Sequence, residues 1–339
     1  MQYLKNLLKQ NKFSIMTQEN FSLNSTQQVL TAIQAIAFSS EMSALLKEYY
    51  SFGDRKEFFW KMMYFAHNDL IPFELSRDFR ALNVEIKLLL TMLIVLIDDL
   101  VDGQKHLGLV DYLFDVIENN RTREHINITL GNFELSYLNF TRKVFSKIVE
   151  RIIQLPSRDQ LQDVLYYDIE QTFNAIKYSL LMNNNEFLIN QTENSIYAPH
   201  TIQGMINCTV DLMSIANLKK GEIGRIREIF WNAQKIARIA NCVSTWQYEL
   251  LHGDFSNTVI AYAVSHNIIT SDLLQQDKKK AVDLIKRSNA VMDLKTEQDK
   301  CYREIEIQGE TIKQLHCKNF IQQLKRLAHL YEISSDFYR

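Results

Sequence analysis

The stretch Ile94-Val95-Leu96-Ile97-Asp98-Asp99-Leu100-Val101-Asp102 joins an apolar run directly to three carboxylates. Its spacing predicts a largely buried helix over residues 82–102. Residues four apart share one face of a helix, so Asp98 and Asp102 are neighbours, with Asp99 at the adjacent edge. The sequence therefore predicts a helix that ends in a tight group of carboxylates.

Three carboxylates in the last turn of a helix are electrostatically unfavourable. They repel one another, and the negative end of the helix dipole adds to that cost. A bound cation would offset both effects, and carboxylate oxygens are ligands that Mg²⁺ accepts. A solvated acidic helix end is the alternative interpretation, but the apolar run favours a helix end that lines a cavity. Asp98, Asp99 and Asp102 are therefore candidate metal ligands.

The overall composition favours an all-α protein. The 339 residues include only 9 Gly and 3 Pro, whereas strand-and-turn proteins need both residues to form their turns. No shift in composition marks a second domain, so we expect one domain over residues 25–339 after an N-terminal segment 1–24. Helical patterns cover residues 26–48, 58–66, 82–102, 106–118, 132–155, 158–181, 221–253, 254–266, 271–291 and 299–331, and a helix over 186–215 that Pro199 and Gly204 bend.

Charge and cysteine use exclude several classes of function. The formal net charge is −2, so no basic surface for nucleic acid is expected. The four cysteines form no CxxC pair, which argues against a disulfide framework or a structural zinc site. No apolar stretch reaches the roughly 18 residues of a transmembrane helix, and residues 1–24 lack the pattern of a signal peptide. We expect a cytoplasmic protein without stable membrane insertion.

A second polar pattern lies in the C-terminal half of the chain. Asn241, Thr245 and Glu249 occupy positions i, i+4 and i+8, so they form one stripe on a helix. An amide oxygen, a hydroxyl and a carboxylate in line can supply three oxygen ligands to one hard cation. Taken alone, an exposed polar stripe is the simpler interpretation, but two such patterns on two helices favour metal binding.

The two patterns together resemble those of class I terpene synthases of the microbial, single-α-domain type. That family carries a DDxxD motif on one helix and an NxxxSxxxE-type motif, with Ser or Thr in the middle, on a facing helix. The resemblance extends from about residue 25 to the end of the chain. The matching residues are Asp98, Asp99 and Asp102 for the first motif and Asn241, Thr245 and Glu249 for the second.

The resemblance implies a fold, a cofactor and a reaction. The fold would be a helical bundle around a central active-site cavity, in a protein that can form homodimers. Three Mg²⁺ ions, which Mn²⁺ can replace, would hold the substrate's diphosphate, two of them mainly through Asp98. They would ionise a linear isoprenyl diphosphate, with farnesyl favoured over geranylgeranyl or geranyl diphosphate. The carbocation would then cyclise or rearrange to a terpene hydrocarbon or alcohol. Asp98, Asn241, Thr245 and Glu249 would be the catalytic residues.

The chain departs from the family pattern at the groups that bind diphosphate. The family carries a diphosphate-sensing Arg at a helix break before the second motif, but no Arg lies between residues 158 and 225. The family also often ends in an Arg-Tyr pair, and this chain has the reverse order. The candidate diphosphate ligands are His200 or Lys177 in place of the sensor, Arg238 beside the second motif, and the terminal Tyr338 and Arg339.

Two alternative functions remain open at this point. A chain-elongating prenyl diphosphate synthase would carry two aspartate-rich motifs, whereas this chain has one DDxxD. A helical binding protein without catalysis, including an inactive synthase relative, would leave both polar stripes as a coincidence. Stabilisation by Mg²⁺ and diphosphate together would separate an intact site from a degenerate one.

Overall fold

The computed structural model describes residues 26–102, 109, 110, 112–114 and 131–334. Within these residues the regular elements are helices, and no strand is found, which confirms the all-α prediction. None of the described helices is both long enough and apolar enough to cross a bilayer. The α-helices are α1 (Thr26–Gln34), α2 (Ser40–Tyr49), α3 (Glu57–Asp69), α4 (Arg77–Asp102), α5 (Asn132–Ile152), α6 (Arg158–Asn184), α7 (Gln191–Tyr197), α8 (Gly204–Met213), α9 (Ile223–His252), α10 (Thr258–Ser265), α11 (Ser271–Gln276), α12 (Lys278–Arg287), α13 (Ala290–Gly309) and α14 (Cys317–Ser334).

Helices α4 and α9 form the centre of the molecule. Helix α4 is buried along most of its length, because the apolar run before Asp98 packs against α3 and α5. It begins at Arg77, one turn earlier than predicted, since the Ser76 hydroxyl accepts a hydrogen bond from Phe79 N at 3.4 Å. Helix α9 packs against α8, α13 and α14. The two motif-bearing helices are thus held by different sets of neighbours.

Several long helical patterns are divided by local caps. The pattern over 26–48 predicts one helix, but the structure has two, since Ser39 accepts a hydrogen bond from Met42 N at 3.1 Å and starts α2. The prediction over 271–291 is wrong in the same way, because Asp277 caps α12 through Lys280 N. The pattern over 299–331 also contains a break, which separates α13 from α14. Side-chain caps at these positions satisfy backbone groups that a continuous helix would satisfy internally.

The bend predicted over 186–215 is confirmed as a full break. A 3₁₀ turn at Ala198–Ile202, with Pro199 in its first turn, separates α7 from α8. Gln203 takes a left-handed backbone conformation with φ of 62°. Gly204 then allows a close approach, because a Cβ there would collide with the Gln234 side chain of α9. The break therefore packs tightly onto the helix that carries the second motif.

Four predictions lie outside the described residues. They are the N-terminal segment 1–24, most of the helix over 106–118, and the terminal pair Tyr338 and Arg339. The backbone of Asp102 ends α4, but its side chain is outside the description.

Candidate active site

Asp99 is held by the last residue of α2, Tyr49, and by Arg55 from the loop between α2 and α3. Tyr49 donates its hydroxyl to Oδ2 of Asp99 at 3.0 Å, and Arg55 donates Nε and Nη2 to Oδ1 at 3.1 and 2.8 Å. The same Nη2 lies 3.8 Å from Oδ2 of Asp98. The Asp98 side chain is 38% exposed and that of Asp99 is 17% exposed. Asp98 is therefore the carboxylate with free oxygen to offer to a ligand, while Asp99 is anchored.

Arg55 is a site residue that the motif search missed. It lies 44 positions before Asp99, on a loop with no motif spacing of its own. Its guanidinium also lies over the ring of Phe59, 5.7 Å from the centroid. Only the fold brings this cation to the DDxxD motif, so no local pattern could have indicated it.

The second motif forms one stripe at the end of α9, as the spacing predicts. Thr245 donates its hydroxyl to the backbone O of Asn241 at 3.0 Å. Glu249 accepts a hydrogen bond at 2.6 Å from the side chain of Asn257, a fully buried residue. Gly253, with φ of 88°, ends the helix and turns the chain back so that Asn257 can reach Glu249.

Arg238 connects the two motifs. It lies one turn before Asn241 on α9 and donates to Thr201 Oγ1 at 3.3 Å and to the backbone O of Ser256 at 3.1 Å. Its Nε is buried and, among the described residues, has no hydrogen-bond partner. The charges of Asp98 and Glu249 both act on this guanidinium. Arg238, a candidate diphosphate ligand from the sequence, is therefore close enough to both motifs for their carboxylates to affect its ionisation.

Asp254 is a second residue that the search for ligands passed over. Its Oδ1 accepts hydrogen bonds from N and Oγ of Ser256, at 3.0 and 2.8 Å. Its negative charge acts on both Asp98 and Glu249. The sequence signal that could have indicated Asp254 is its position directly after the end of α9, because a carboxylate there lies close to the last turn of the helix that carries the second motif.

The carboxylates at this site suppress one another's ionisation. Burial raises the pKa of Asp98 to about 6, and Asp99 and Asp254 add to the rise, while Arg55 and Arg238 oppose it. Burial likewise raises the pKa of Glu249 to about 7, with Asp254 adding and Thr245, Arg238 and Asn257 opposing. We call this set the charged end, and its described members are Asp98, Asp99, Glu249, Asp254, Arg55 and Arg238.

The charged end has a surplus of negative charge. Four carboxylates lie near two guanidinium groups, so full ionisation would leave two negative charges unbalanced, in line with the raised pKa values of Asp98 and Glu249. Oxygen donors with surplus negative charge suit a hard cation such as Mg²⁺. In the described part of the chain, no three His, Cys, Asp or Glu side chains converge on one point. These oxygen donors fit a metal ion that is bound from two helices. The Asn241 amide and the Thr245 hydroxyl would complete its ligands, so the carboxylates need not surround it on all sides.

A pocket of about 60 Å³ is lined by both motif-bearing helices, but none of the charged-end residues is part of its lining. On α9 it is lined by Ala237, Gln234 and Phe230, which lie one, two and three turns before Asn241 on the same stripe. On α4 it is lined by Lys87, three turns before Asp98, or about 16 Å along the helix. Residues from α3, α8 and α14 close the other sides. The lining is largely apolar, with Leu70, Ile202, Phe320, Leu324 and Leu327 among its members.

A polar wall interrupts this apolar lining. Its members are His67, Lys87, Asp211 and Gln234, which line the pocket and are at most 2% exposed. Lys87 and Asp211 form an ion pair, and Asn83 donates to the same oxygen of Asp211 at 2.9 Å. The sequence analysis did not single out these residues. The one available signal was Lys87, a cation inside an otherwise apolar helix.

The contacts of His200 and Lys177 are with residues outside the charged end. The His200 ring packs against Trp231, with centroids 5.1 Å apart, and the charges that act on it are those of Asp168 and Arg227. Burial lowers its pKa, which disfavours the cationic form that would bind diphosphate. Lys177 lies over the ring of Phe114, 4.3 Å from the centroid. Among the described basic groups that the sequence analysis proposed, Arg238 is the one on which carboxylates of both motifs act.

Comparisons with known proteins agree with this architecture at the level of fold. No family model matches the chain, and no curated protein matches it in sequence. Among solved structures, isoprene synthase from grey poplar leaves (Populus x canescens), in complex with three Mg²⁺ ions and dimethylallyl-S-thiolodiphosphate, superposes with a TM-score of 0.61 over 90% of this chain at 14% identity. The chain has the terpene synthase fold.

Two further structures support the same fold. Isoprene synthase from the same plant, in a second structure, gives a TM-score of 0.59 at 15% identity over 89% of this chain, and abietadiene synthase from Abies grandis gives 0.55 at 12% over 90%. This chain covers 55% and 54% of the isoprene synthase chains and 38% of the abietadiene synthase chain. It therefore spans about half, or less, of the length of these plant proteins.

Proposed function

We propose that the protein is a class I terpene synthase that ionises an isoprenyl diphosphate with the help of Mg²⁺. The observation that carries the proposal is the charged end itself. Asp98 and Glu249, on two different helices, share Arg238 and Asp254 as electrostatic neighbours, and a largely apolar pocket is lined by earlier turns of the same two helices. A polar head group and an apolar tail on one substrate match these two environments.

The donor set fits Mg²⁺ at both motifs. Asp98 from α4, with Asp102 four residues later in sequence, would hold metal on one side, and Asn241, Thr245 and Glu249 would hold metal on the other. Asp99, committed to Tyr49 and Arg55, would orient the motif rather than bind metal. Bound Mg²⁺ would supply Lewis-acid stabilisation of the leaving diphosphate. The poplar isoprene synthase structure with three Mg²⁺ ions supports this choice of cation.

The chain's own cations would bind the leaving group. Arg238 has an unpartnered, buried Nε between the two motifs, and Arg55 lies beside Asp98. Guanidinium groups bind phosphate oxygens in a fixed planar geometry. With these two groups the diphosphate would be held as the allylic C–O bond breaks, and the apolar pocket would keep bulk water from the carbocation.

The pocket volume bears on the choice of substrate. At about 60 Å³ it is smaller than the roughly 150 Å³ cavity that takes one benzene molecule in a well-studied protein core. A fifteen-carbon tail would therefore enter only if wall side chains moved. The substrates tested should for this reason include the five-carbon dimethylallyl diphosphate in addition to farnesyl diphosphate, which the sequence analysis favours.

The test is a product assay with purified protein and Mg²⁺. Dimethylallyl, geranyl, farnesyl and geranylgeranyl diphosphate are incubated separately, organic extracts are read by gas chromatography–mass spectrometry, and released diphosphate is measured in parallel. We expect one substrate to give a terpene product and stoichiometric diphosphate, both lost in Asp98→Asn. Absence of diphosphate release from every substrate, with a folded protein, would contradict the proposal. A longer prenyl diphosphate formed on addition of isopentenyl diphosphate would indicate chain elongation instead.

A further inference from the structure

Asn194 and Arg238 each carry one buried atom that has no hydrogen-bond partner among the described residues. These atoms are Oδ1 of Asn194 and Nε of Arg238. Both side chains line a second, smaller cavity of about 20 Å³, to which α7, α9, α10 and α13 contribute. One atom is an acceptor and the other is a donor. Because leaving a buried polar atom unpaired costs about 1–3 kcal/mol, two complementary atoms at one cavity indicate that a polar group joins them.

The orientation of the Asn194 amide follows from its other contact. Its Nδ2 donates to the backbone O of Ser256 at 2.8 Å. An amide oxygen in that place would face another acceptor, so the amide nitrogen points to Ser256 and Oδ1 is the unpartnered atom. The residue is 1% exposed, so bulk solvent does not satisfy this oxygen.

Arg238 shares the same acceptor with Asn194. Its Nη2 donates to the backbone O of Ser256 at 3.1 Å, and its Nη1 donates to Oγ1 of Thr201 at 3.3 Å. The two side chains are therefore neighbours, since both donate to one oxygen. The guanidinium is held at both terminal nitrogens, and its Nε is the nitrogen that lacks a partner in the described protein.

The second cavity has the size of one water molecule. A buried water needs about 10–15 Å³ of accessible space and two to four polar partners. The cavity offers about 20 Å³, with Nε of Arg238 as a donor and Oδ1 of Asn194 as an acceptor. Two other polar side chains of its lining, Lys235 and Glu297, pair with each other at 3.3 Å. A single water can thus accept from the guanidinium and donate to the amide.

The contacts of Ser256 extend from Asn194 to the charged end. Ser256 donates its N and Oγ to Oδ1 of Asp254, at 3.0 and 2.8 Å. The next residue, Asn257, donates to Glu249 at 2.6 Å. A displacement of the Ser256 carbonyl would therefore disturb a carboxylate of the charged end and the side chain that holds a candidate metal ligand.

We propose that Asn194 is a positioning residue that sets the orientation of Arg238 for the substrate's diphosphate. Its amide nitrogen holds Ser256, and a buried water joins its Oδ1 to Nε of Arg238. A guanidinium has five N–H groups, so one on each terminal nitrogen remains for phosphate oxygens. The inference rests on the proposed function, which assigns Arg238 to the leaving group. Asn194 acts through Arg238 and does not itself contact the substrate.

The test measures diphosphate binding rather than turnover. Inorganic diphosphate is titrated calorimetrically into the purified protein with saturating Mg²⁺. We expect Asn194→Leu, which removes both polar atoms at similar volume, to bind diphosphate about tenfold more weakly. In an Arg238→Met background the same substitution should change the affinity by less than about twofold, because the group that it positions is gone.

Asn83→Leu is the matched control. Asn83 is fully buried on α4, donates its Nδ2 to Asp211 at 2.9 Å, and also has a buried Oδ1 without a partner among the described residues. It lies about four helical turns before Asp98. The substitution therefore removes the same two kinds of atom from a buried site that does not contact Arg238, and diphosphate affinity should stay within about twofold of the wild type.

The outcomes separate this inference from the proposed function. A wild-type protein that binds no diphosphate in the presence of Mg²⁺ would contradict both. Wild-type binding that Asn194→Leu leaves unchanged would overturn only the positioning role, as would an equal loss in the Arg238→Met background or in Asn83→Leu. If Asn194→Leu does not fold, Asn194→Ala removes the same two polar atoms without adding apolar bulk, and the same outcomes decide.

Discussion

The charged end and the polar wall are two clusters of ionisable groups that differ in their ratio of acidic to basic groups and in their exposure. At the charged end four carboxylates face two arginines, and Asp98 remains 38% exposed. In the polar wall one carboxylate, Asp211, faces one ammonium, Lys87, and both are 1% exposed. The first cluster has more acidic than basic groups and is partly exposed at Asp98, whereas the second pairs one acid with one base and is fully buried.

This difference indicates what each cluster can bind. Burial, with neighbouring carboxylates adding to it, raises the pKa values of Asp98 and Glu249, and a bound metal cation would offset both effects. The Lys87–Asp211 pair has no net charge, so it can bind a further molecule only through hydrogen bonds, which suits a neutral molecule. The comparison predicts that deleting a charge will have opposite effects on stability at the two clusters.

The largest expected effect is on turnover. Asp98→Asn removes the freest carboxylate of the charged end without changing its shape, and we expect turnover to fall about 10⁴-fold, which is roughly 5.5 kcal/mol in activation free energy. The metal-free variant should be at least as stable as the wild type, because one repelling charge is gone. Product assays and thermal unfolding in a chelator measure the two effects. Retention of full activity would remove Asp98 from the metal site.

The same kind of deletion in the polar wall should destabilise the protein. Lys87→Met leaves Asp211 as an unpaired buried charge, and we expect the free energy of unfolding to fall by about 3–5 kcal/mol. Chemical denaturation measures it. In the double variant Lys87→Met/Asp211→Leu no buried charge remains, so much of the loss should be recovered. Similar stabilities for the single and double variants would show that the loss comes from packing.

The parts of the site that could be predicted from the sequence are those encoded by local spacing. The DDxxD and Asn241/Thr245/Glu249 stripes depend only on the helical repeat, and both lie on helices in the structure. The helix break near Pro199 could also be predicted, because Pro199 and Gly204 are local signals in the sequence. Divided helices such as α1 and α2 were missed because a single capping hydroxyl, that of Ser39, outweighed a continuous apolar pattern.

The site residues that the sequence analysis did not indicate are brought together only by tertiary contacts. Arg55 and Asp99 come from different elements, and so do His67 and Asp211, which no spacing rule relates. His200 occupies the helix break, as expected, but its ring packs against Trp231, a contact that the sequence pattern does not indicate. The two motifs indicate which helices face each other, but the basic side chains that lie near them depend on how the intervening loops pack.

A moderate effect is expected on the pH dependence of stability. In a chelator, Glu249 has a raised pKa of about 7 in the folded protein against an ordinary value of 4.5. Protonation therefore favours the folded state, and this contribution is present at low pH and lost as pH rises from about 4.5 through about 7. We expect the wild type to lose on the order of 2 kcal/mol more than Glu249→Gln between pH 5 and pH 8. Parallel curves for the two proteins would show that Glu249 ionises normally.

The smallest expected effect concerns competition between Arg55 and metal. Arg55 lies 3.8 Å from Asp98, where its charge opposes a second cation. The pair is partly exposed, so its coupling is on the order of 1 kcal/mol, and Arg55→Gln should bind Mg²⁺ about fivefold more tightly in calorimetric titrations without substrate. Tyr49→Phe is the matched control, since it removes the other contact to Asp99 without changing any charge. Tighter binding in both variants would mean that releasing Asp99, rather than removing the positive charge, controls the metal affinity. Weaker binding in Arg55→Gln alone would mean that Arg55 positions the carboxylates for the metal and does not compete with it.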